Sequence, residues 1–102
     1  MKVLFVCAGG MSSSIVVNTL KKEAAKIGQE LDVKAIGSSE VAPELENGWD
    51  VVMVAPQIRH RFDHIKKEAD EAGVPCGAIP PQAYTPLGGP LLLKTMNELV
   101  ES

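Results

Sequence analysis

The opening of the chain runs from a short apolar stretch through a small-residue turn into an amphipathic stretch, and this succession most narrows the folds available. Met1-Lys2-Val3-Leu4-Phe5-Val6 is β-branched and aromatic, the pattern of a buried strand. It ends on Cys7. Gly9 and Gly10 free the backbone for a tight turn, and Ser12, Ser13 and Ser14 supply helix N-cap chemistry. Val16, Leu20, Ala24 and Ile27 then fall on one apolar stripe, predicting a helix from about Ser13 to Ile27 that stops at Gly28.

The same succession recurs three more times. Leu31 to Ile36 alternates apolar and polar residues, which suits an edge strand with one less buried face. A short helix from Gly37-Ser38-Ser39-Glu40 to about Leu45 follows, with Pro43 in its first turn. Asp50 to Ala55 is nearly continuous in apolar residues, as a central strand would be, and Ala55-Pro56-Gln57 breaks it. Ile58, Phe62, Ile65, Ala69 and Ala72 then mark a third helix closed by Gly73. Val74 to Ile79 is a short edge strand with Pro75 near its start. A proline- and glycine-rich connection, Pro80 to Gly89, leads to a last helix with Pro90 in first position.

Strands alternating with helices define an α/β fold: a single doubly wound, four-stranded parallel sheet with helices on both faces. Residues 1–102 are expected to form one domain, a common size and enough to bury a core. Ligands of such sheets bind beyond the carboxyl ends of the strands, where the strand order reverses. An order of 2-1-3-4 puts that point between the first and third strands. The Cys7 turn would then face Ala55-Pro56-Gln57, with Pro80 to Tyr84 flanking.

A turn of this kind aims unpaired backbone N–H groups and the positive end of a helix dipole at one point. An anion is well held there, beside the Cys7 sulfur. The stretch reads as a cysteine nucleophile in a phosphate cradle built from Ala8, Gly9, Gly10, Met11, Ser12, Ser13 and Ser14. Nucleotides do not fit it: no lysine follows the glycines as a P-loop requires, and Gly9 and Gly10 are adjacent where the dinucleotide fingerprint spaces its glycines. Low-molecular-weight tyrosine phosphatases and related arsenate reductases use C-x5-R after a first strand. Here the arginine position is Ser13, and no Asp-Pro pair offers a general acid. The site could take a phosphoryl group on sulfur but is poorly equipped to hydrolyse it, which suits a carrier.

Other classes are narrowed by composition. A net charge of −3 argues against nucleic-acid or membrane-surface binding, and no apolar run approaches the ~20 residues that span a bilayer. Met1 leads straight into the first strand, leaving no room for a signal peptide, so a cytoplasmic protein is expected. Cys7 and Cys76 are the two cysteines, with no metal-ligand spacing around them; the strand layout separates them, and both are expected as free thiols. No metal or cofactor is implied.

Cys7-Ala8-Gly9-Gly10-Met11-Ser12-Ser13-Ser14 after a first strand, with Ala55-Pro56-Gln57-Ile58 after a later core strand, resembles the IIB proteins of the bacterial sugar phosphotransferase system, lactose/cellobiose branch. The Ile79 to Tyr84 segment and the glycine-containing start of the last helix match too, so the resemblance covers essentially the whole chain. Ala8-Gly9 and the stretch Pro80 to Gly89 depart from the family's usual residues. The resemblance implies a fold like that of the low-molecular-weight tyrosine phosphatases. It implies a phosphorelay in which a IIA phosphohistidine gives its phosphoryl group to Cys7, which passes it to a β-linked disaccharide brought in by the IIC membrane partner. The protein would thus be a protein-cysteine phosphotransferase. Two alternatives stay open: a phosphatase or arsenate-reductase-like enzyme, and a non-catalytic module that binds an anion or a partner.

Around the site, Pro56, Gln57, Arg59 and Tyr84 are expected to flank it or to meet a partner. Arg59, His60, Arg61, His64, Lys66 and Lys67 make the start of the third helix basic, either a solvated face or a docking surface for an acidic rim. Tyr84 and Trp49 are read as packing residues, and Met11 as a cap of the turn that could meet a partner.

Overall fold

The computed structural model describes residues 1–7, 14–85 and 87–101. Its strands are β1 (Lys2–Cys7), β2 (Asp32–Gly37), β3 (Val51–Val54) and β4 (Cys76–Ala78), and its helices α1 (Ser14–Lys26), α2 (Val41–Leu45), α3 (Phe62–Glu71) and α4 (Gly89–Glu101). Short 3-10 turns occupy Ser38–Glu40, Pro56–Arg61 and Pro81–Ala83. All strand pairs are parallel and the order is β2-β1-β3-β4, as the sequence predicts.

Side-chain alternation along the central strands divides the core in two. Val3 and Phe5 of β1, with Val51 and Met53 of β3, meet Val16, Val17, Leu20 and Ala24 of α1 and Leu92, Leu93 and Met96 of α4. Leu4, Val6, Val52 and Val54 point the other way, onto Val41 and Leu45 of α2 and Ile65 and Ala69 of α3. Buried on both faces, β1 and β3 need the unbroken apolar runs seen in the sequence. The outer strand β2 buries Ile36 fully and leaves Asp32 and Lys34 exposed, so its alternation reports its edge position.

Three expected boundaries move. The apolar stripe of the first helix loses its last member: α1 ends at Lys26, Gly28 takes φ +74°, and Ile27 is left 64% exposed. The third helix does not begin at Ile58. Pro56 starts a 3-10 turn, and Ile58 (φ −117°, ψ 27°) breaks helical geometry while burying its side chain, so α3 starts only at Phe62. β4 is trimmed to Cys76–Ala78, although the Pro75 carbonyl still accepts the Val52 N–H at 2.8 Å. Trp49 is buried, as a packing residue should be, with Nε1 donating to the Glu44 carbonyl at 2.9 Å and the Lys2 ammonium 4.8 Å over its ring.

Candidate functional site

Every strand is parallel, so the carboxyl ends of β1, β2, β3 and β4 share one edge of the sheet. α1 runs back from that edge between β1 and β2, which places its N-terminus, and the positive end of its dipole, at the same edge. The strand order reverses between β1 and β3, so the two chain segments leaving those strands diverge there.

Cys7 is the last residue of β1 and is completely buried. Strict alternation along the strand would send it to the α1/α4 face with Val3 and Phe5. It packs instead among Leu4, Val6, Ile36 and Ala55 on the opposite face. The thiol donates a weak hydrogen bond to the Ile36 carbonyl at 3.7 Å, turning Sγ toward the end of β2. Cys7 pairs in register with Gly37, whose N–H donates to Glu40 Oε2 at 2.9 Å. The Glu40 side chain thus reaches back over the start of its own 3-10 turn, one half of a capping box.

On the other side of β1, the Ala55 N–H donates to the Val6 carbonyl at 2.8 Å, extending the β1–β3 ladder by one residue. Pro56 and Gln57 therefore leave the sheet directly beside the Cys7 position, Pro56 half-buried and Gln57 exposed. The Ile79 N–H makes the equivalent bond to the Val54 carbonyl, also 2.8 Å. Pro81–Ala83 then turns the chain back over the edge so that the Tyr84 ring lies 6.1 Å from that of Phe5, two residues before Cys7. Tyr84 touches both halves of the core, and its hydroxyl is buried. Cys7, Pro56, Gln57 and Tyr84 are brought to one edge as the sequence predicts. The expected phosphate cradle, Ala8, Gly9, Gly10, Met11, Ser12 and Ser13, lies outside the described residues; Ser14 is the first residue of α1.

Arg59, His60 and Arg61 are exposed on the 3-10 turn rather than on a helix. The other basic residues are partly engaged along α3: His64 Nε2 lies 3.1 Å from Glu68, and Lys66 Nζ lies 3.2 Å from Asp70. Cys76 sits at the far end of β4, buried beneath α3, where desolvation pushes its thiol up to about 11. The two thiols thus occupy opposite ends of the sheet: Cys7 at the carboxyl end of β1, Cys76 at the amino end of β4.

Sequence reasoning missed the contribution of β2. Ile36 and Gly37 stand next to Cys7, with Glu40 bonded to Gly37, and the signal available for them was the Gly-x-x-Glu spacing at Gly37 and Glu40, a capping-box pattern without the usual hydroxyl.

A doubly wound parallel domain with a cysteine ending its first strand, at the reversal point, belongs among the thiol phosphate-loop folds. The family described as "PTS system, Lactose/Cellobiose specific IIB subunit" matches residues 2–94. The chain belongs to this family of phosphotransferase-system components. It is 31% identical over 83 residues to the oligo-beta-mannoside-specific EIIB component of Bacillus subtilis, covering 81% of this chain and 80% of that one. It is 28% identical over 102 residues to the galactose-specific EIIB component of Lactococcus lactis subsp. cremoris, covering 96% and 94%. Among solved structures, the cellobiose-specific IIB component of Borrelia burgdorferi superposes with a TM-score of 0.77 at 27% identity, over 99% of this chain and 92% of that one. The fold of this family is that of the low-molecular-weight phosphatases, as the sequence predicts.

Some relatives carry the IIB unit within a larger polypeptide. The lactose-specific EIICB component of Lactococcus lactis is 37% identical over 75 residues, which are 71% of this chain but 12% of that protein. In this chain, no helix among the described residues is long and apolar enough to cross a membrane.

Proposed function

We propose that this protein is the cytoplasmic phosphoryl carrier of its transport system, a single domain over residues 1–102 that is transiently phosphorylated on Cys7. The observation that carries the reading is the placement of Cys7 as the last residue of β1, the strand on one side of the reversal point. There, a thiolate can attack phosphorus in line. The P–N bond of a IIA phosphohistidine breaks, the S–P bond forms, and the thiol proton ends on the released imidazole. Backbone N–H groups in the Ala8 to Ser14 stretch are the natural donors to the phosphoryl oxygens. With Ser13 where a phosphatase has arginine, the group is held without being committed to water.

The acceptor is a β-linked disaccharide of the cellobiose, lactose or chitobiose class, presented by the membrane-embedded IIC partner, whose pocket selects the sugar. Pro56, Gln57 and Tyr84 frame the edge that both partners approach, and Arg59 with its exposed basic neighbours offers charge for an acidic rim.

The decisive experiment is intact mass after incubation with phosphoenolpyruvate, the general relay proteins and an active IIA partner. One added phosphoryl group on wild type and none on Cys7→Ser is expected. Its absence from both, or its presence on both, would overturn the assignment of Cys7.

A further inference from the structure

We infer that Glu40 is a positioning residue for the phosphoryl group. Its carboxylate, anchored on Gly37, sets the negative field at Cys7 Sγ and weakens the hold of the sulfur on a phosphoryl dianion. The inference rests on the reading of Cys7 as the phosphoryl carrier and adds to it what makes that group easy to give away.

The geometry is a short chain of contacts. Cys7 Sγ lies 3.7 Å from the Ile36 carbonyl oxygen, which shares a peptide unit with the Gly37 N–H, and that N–H lies 2.9 Å from Glu40 Oε2. Standard peptide dimensions therefore bound the separation between the sulfur and the carboxylate at about 9 Å. The peptide is trans, so its C=O and N–H point in opposite directions and the carboxylate lies across β2 from the sulfur, near the upper end of that bound. The Cys7–Gly37 register keeps both at the carboxyl end of the sheet. Glu40 is exposed, yet it is not free to swing away, because its oxygen satisfies a backbone donor at the end of β2. The carbonyl dipole of Ile36 also presents its negative end to the sulfur.

Two negative charges on a phosphoryl group and one on a carboxylate repel at this distance by an amount worth about fivefold in an equilibrium constant at low ionic strength. Screening at physiological salt, with a Debye length of about 8 Å, reduces this to below about twofold. The effect is small in one transfer but has the right sign for a carrier: it raises the tendency of the phosphorylated form to release its group.

The test compares wild type, Glu40→Gln and Glu40→Ala. Glutamine keeps an oxygen for the Gly37 N–H and removes only the charge; alanine removes both. At equilibrium with a phosphohistidine donor, Glu40→Gln is expected to shift occupancy of Cys7 about fivefold toward the phosphorylated form at low salt, and less than about twofold at 0.5 M salt. A second readout needs no phosphoryl group. The ratio of iodoacetamide to iodoacetate modification at Cys7, read by peptide mass, should fall about twofold in Glu40→Gln at low salt, because only the anionic reagent feels the carboxylate. An alkylation ratio unchanged by the charge removal, or an occupancy shift that appears only in Glu40→Ala and ignores salt, overturns the role of Glu40. Absence of phosphorylation in every variant, with a ratio that still moves, would instead sink the carrier reading and leave the electrostatic role of Glu40 standing.

Discussion

Raising the pH should destabilise the protein through Cys76, and replacing that residue should remove the effect. The thiol is buried beneath α3 and pushed by desolvation from an ordinary 9.0 up to about 11. In the unfolded chain it ionises near its ordinary value, so between pH 9 and pH 11 the unfolded state has released a proton that the folded state still holds. Stability is therefore fully present below pH 9 and falls as pH rises through this window. Each pH unit well inside it is worth about 1.4 kcal/mol, so the loss reaches about 2 kcal/mol at pH 11, a large share of a small domain's margin. Urea unfolding of wild type and Cys76→Ala at pH 8, 9, 10 and 10.5 measures it. The alanine variant carries a constant deficit of about 1 kcal/mol from lost packing, and that deficit should shrink and reverse as pH rises. All other ionisable groups are common to both proteins and cancel in the difference. A difference between the two that stays constant from pH 8 to 10.5 would refute the reasoning. The same burial leaves Cys76 almost entirely as the neutral thiol at neutral pH, a poor nucleophile.

Two further outcomes are expected. A Cβ added at Gly88 would lie 2.6 Å from the Ala83 carbonyl oxygen and 2.7 Å from its carbonyl carbon and Cα, all backbone atoms. Gly88→Ala should thus cost about 1–3 kcal/mol in urea unfolding and displace the Pro81–Ala83 turn that carries Tyr84, visible as a changed tyrosine environment in near-ultraviolet circular dichroism. The Glu44 carboxyl is held below its ordinary value by the Lys34 ammonium at 3.0 Å and by the Asn47 amide at 2.9 Å. Its folded-state preference for the charged form is present above about pH 4.5 and lost as pH falls below it, so Glu44→Gln should flatten the acid limb of the stability profile followed by thermal melts between pH 3 and 6.

The order of the strands, their parallel sense and the two-sided core were legible because each rests on local periodicity. Val3-Leu4-Phe5-Val6 and Val51-Val52-Met53-Val54 admit no polar face, and the strand β2 with Lys34 and Asp32 admits only one. Parallel strands joined by helices, with right-handed connections, then leave few topologies. The gathering of Cys7, Pro56, Gln57 and Tyr84 toward one edge followed from that topology, since each lies at or beyond the carboxyl end of a strand. The family resemblance was legible for the same reason: its motifs are contiguous in sequence.

Tertiary structure alone decided several other features. An unbroken helical stripe from Ile58 to Ala72 looks continuous in sequence, but burying Ile58 next to β1 bends the backbone to φ −117° and separates a 3-10 turn from α3. Ile27 completes a stripe on paper, yet Gly28 reverses the chain before that residue can reach the core. Cys7 obeys strand alternation until the last position of β1, where the β2 side offers a carbonyl acceptor and draws the sulfur across. The register of Cys7 with Gly37 likewise brings Glu40, bonded to Gly37, to the same end of the sheet from thirty-three residues away. Local pattern reports which face of an element is apolar. Which atom finally stands beside a sulfur depends on register and packing between segments far apart in the chain, and no local pattern records that.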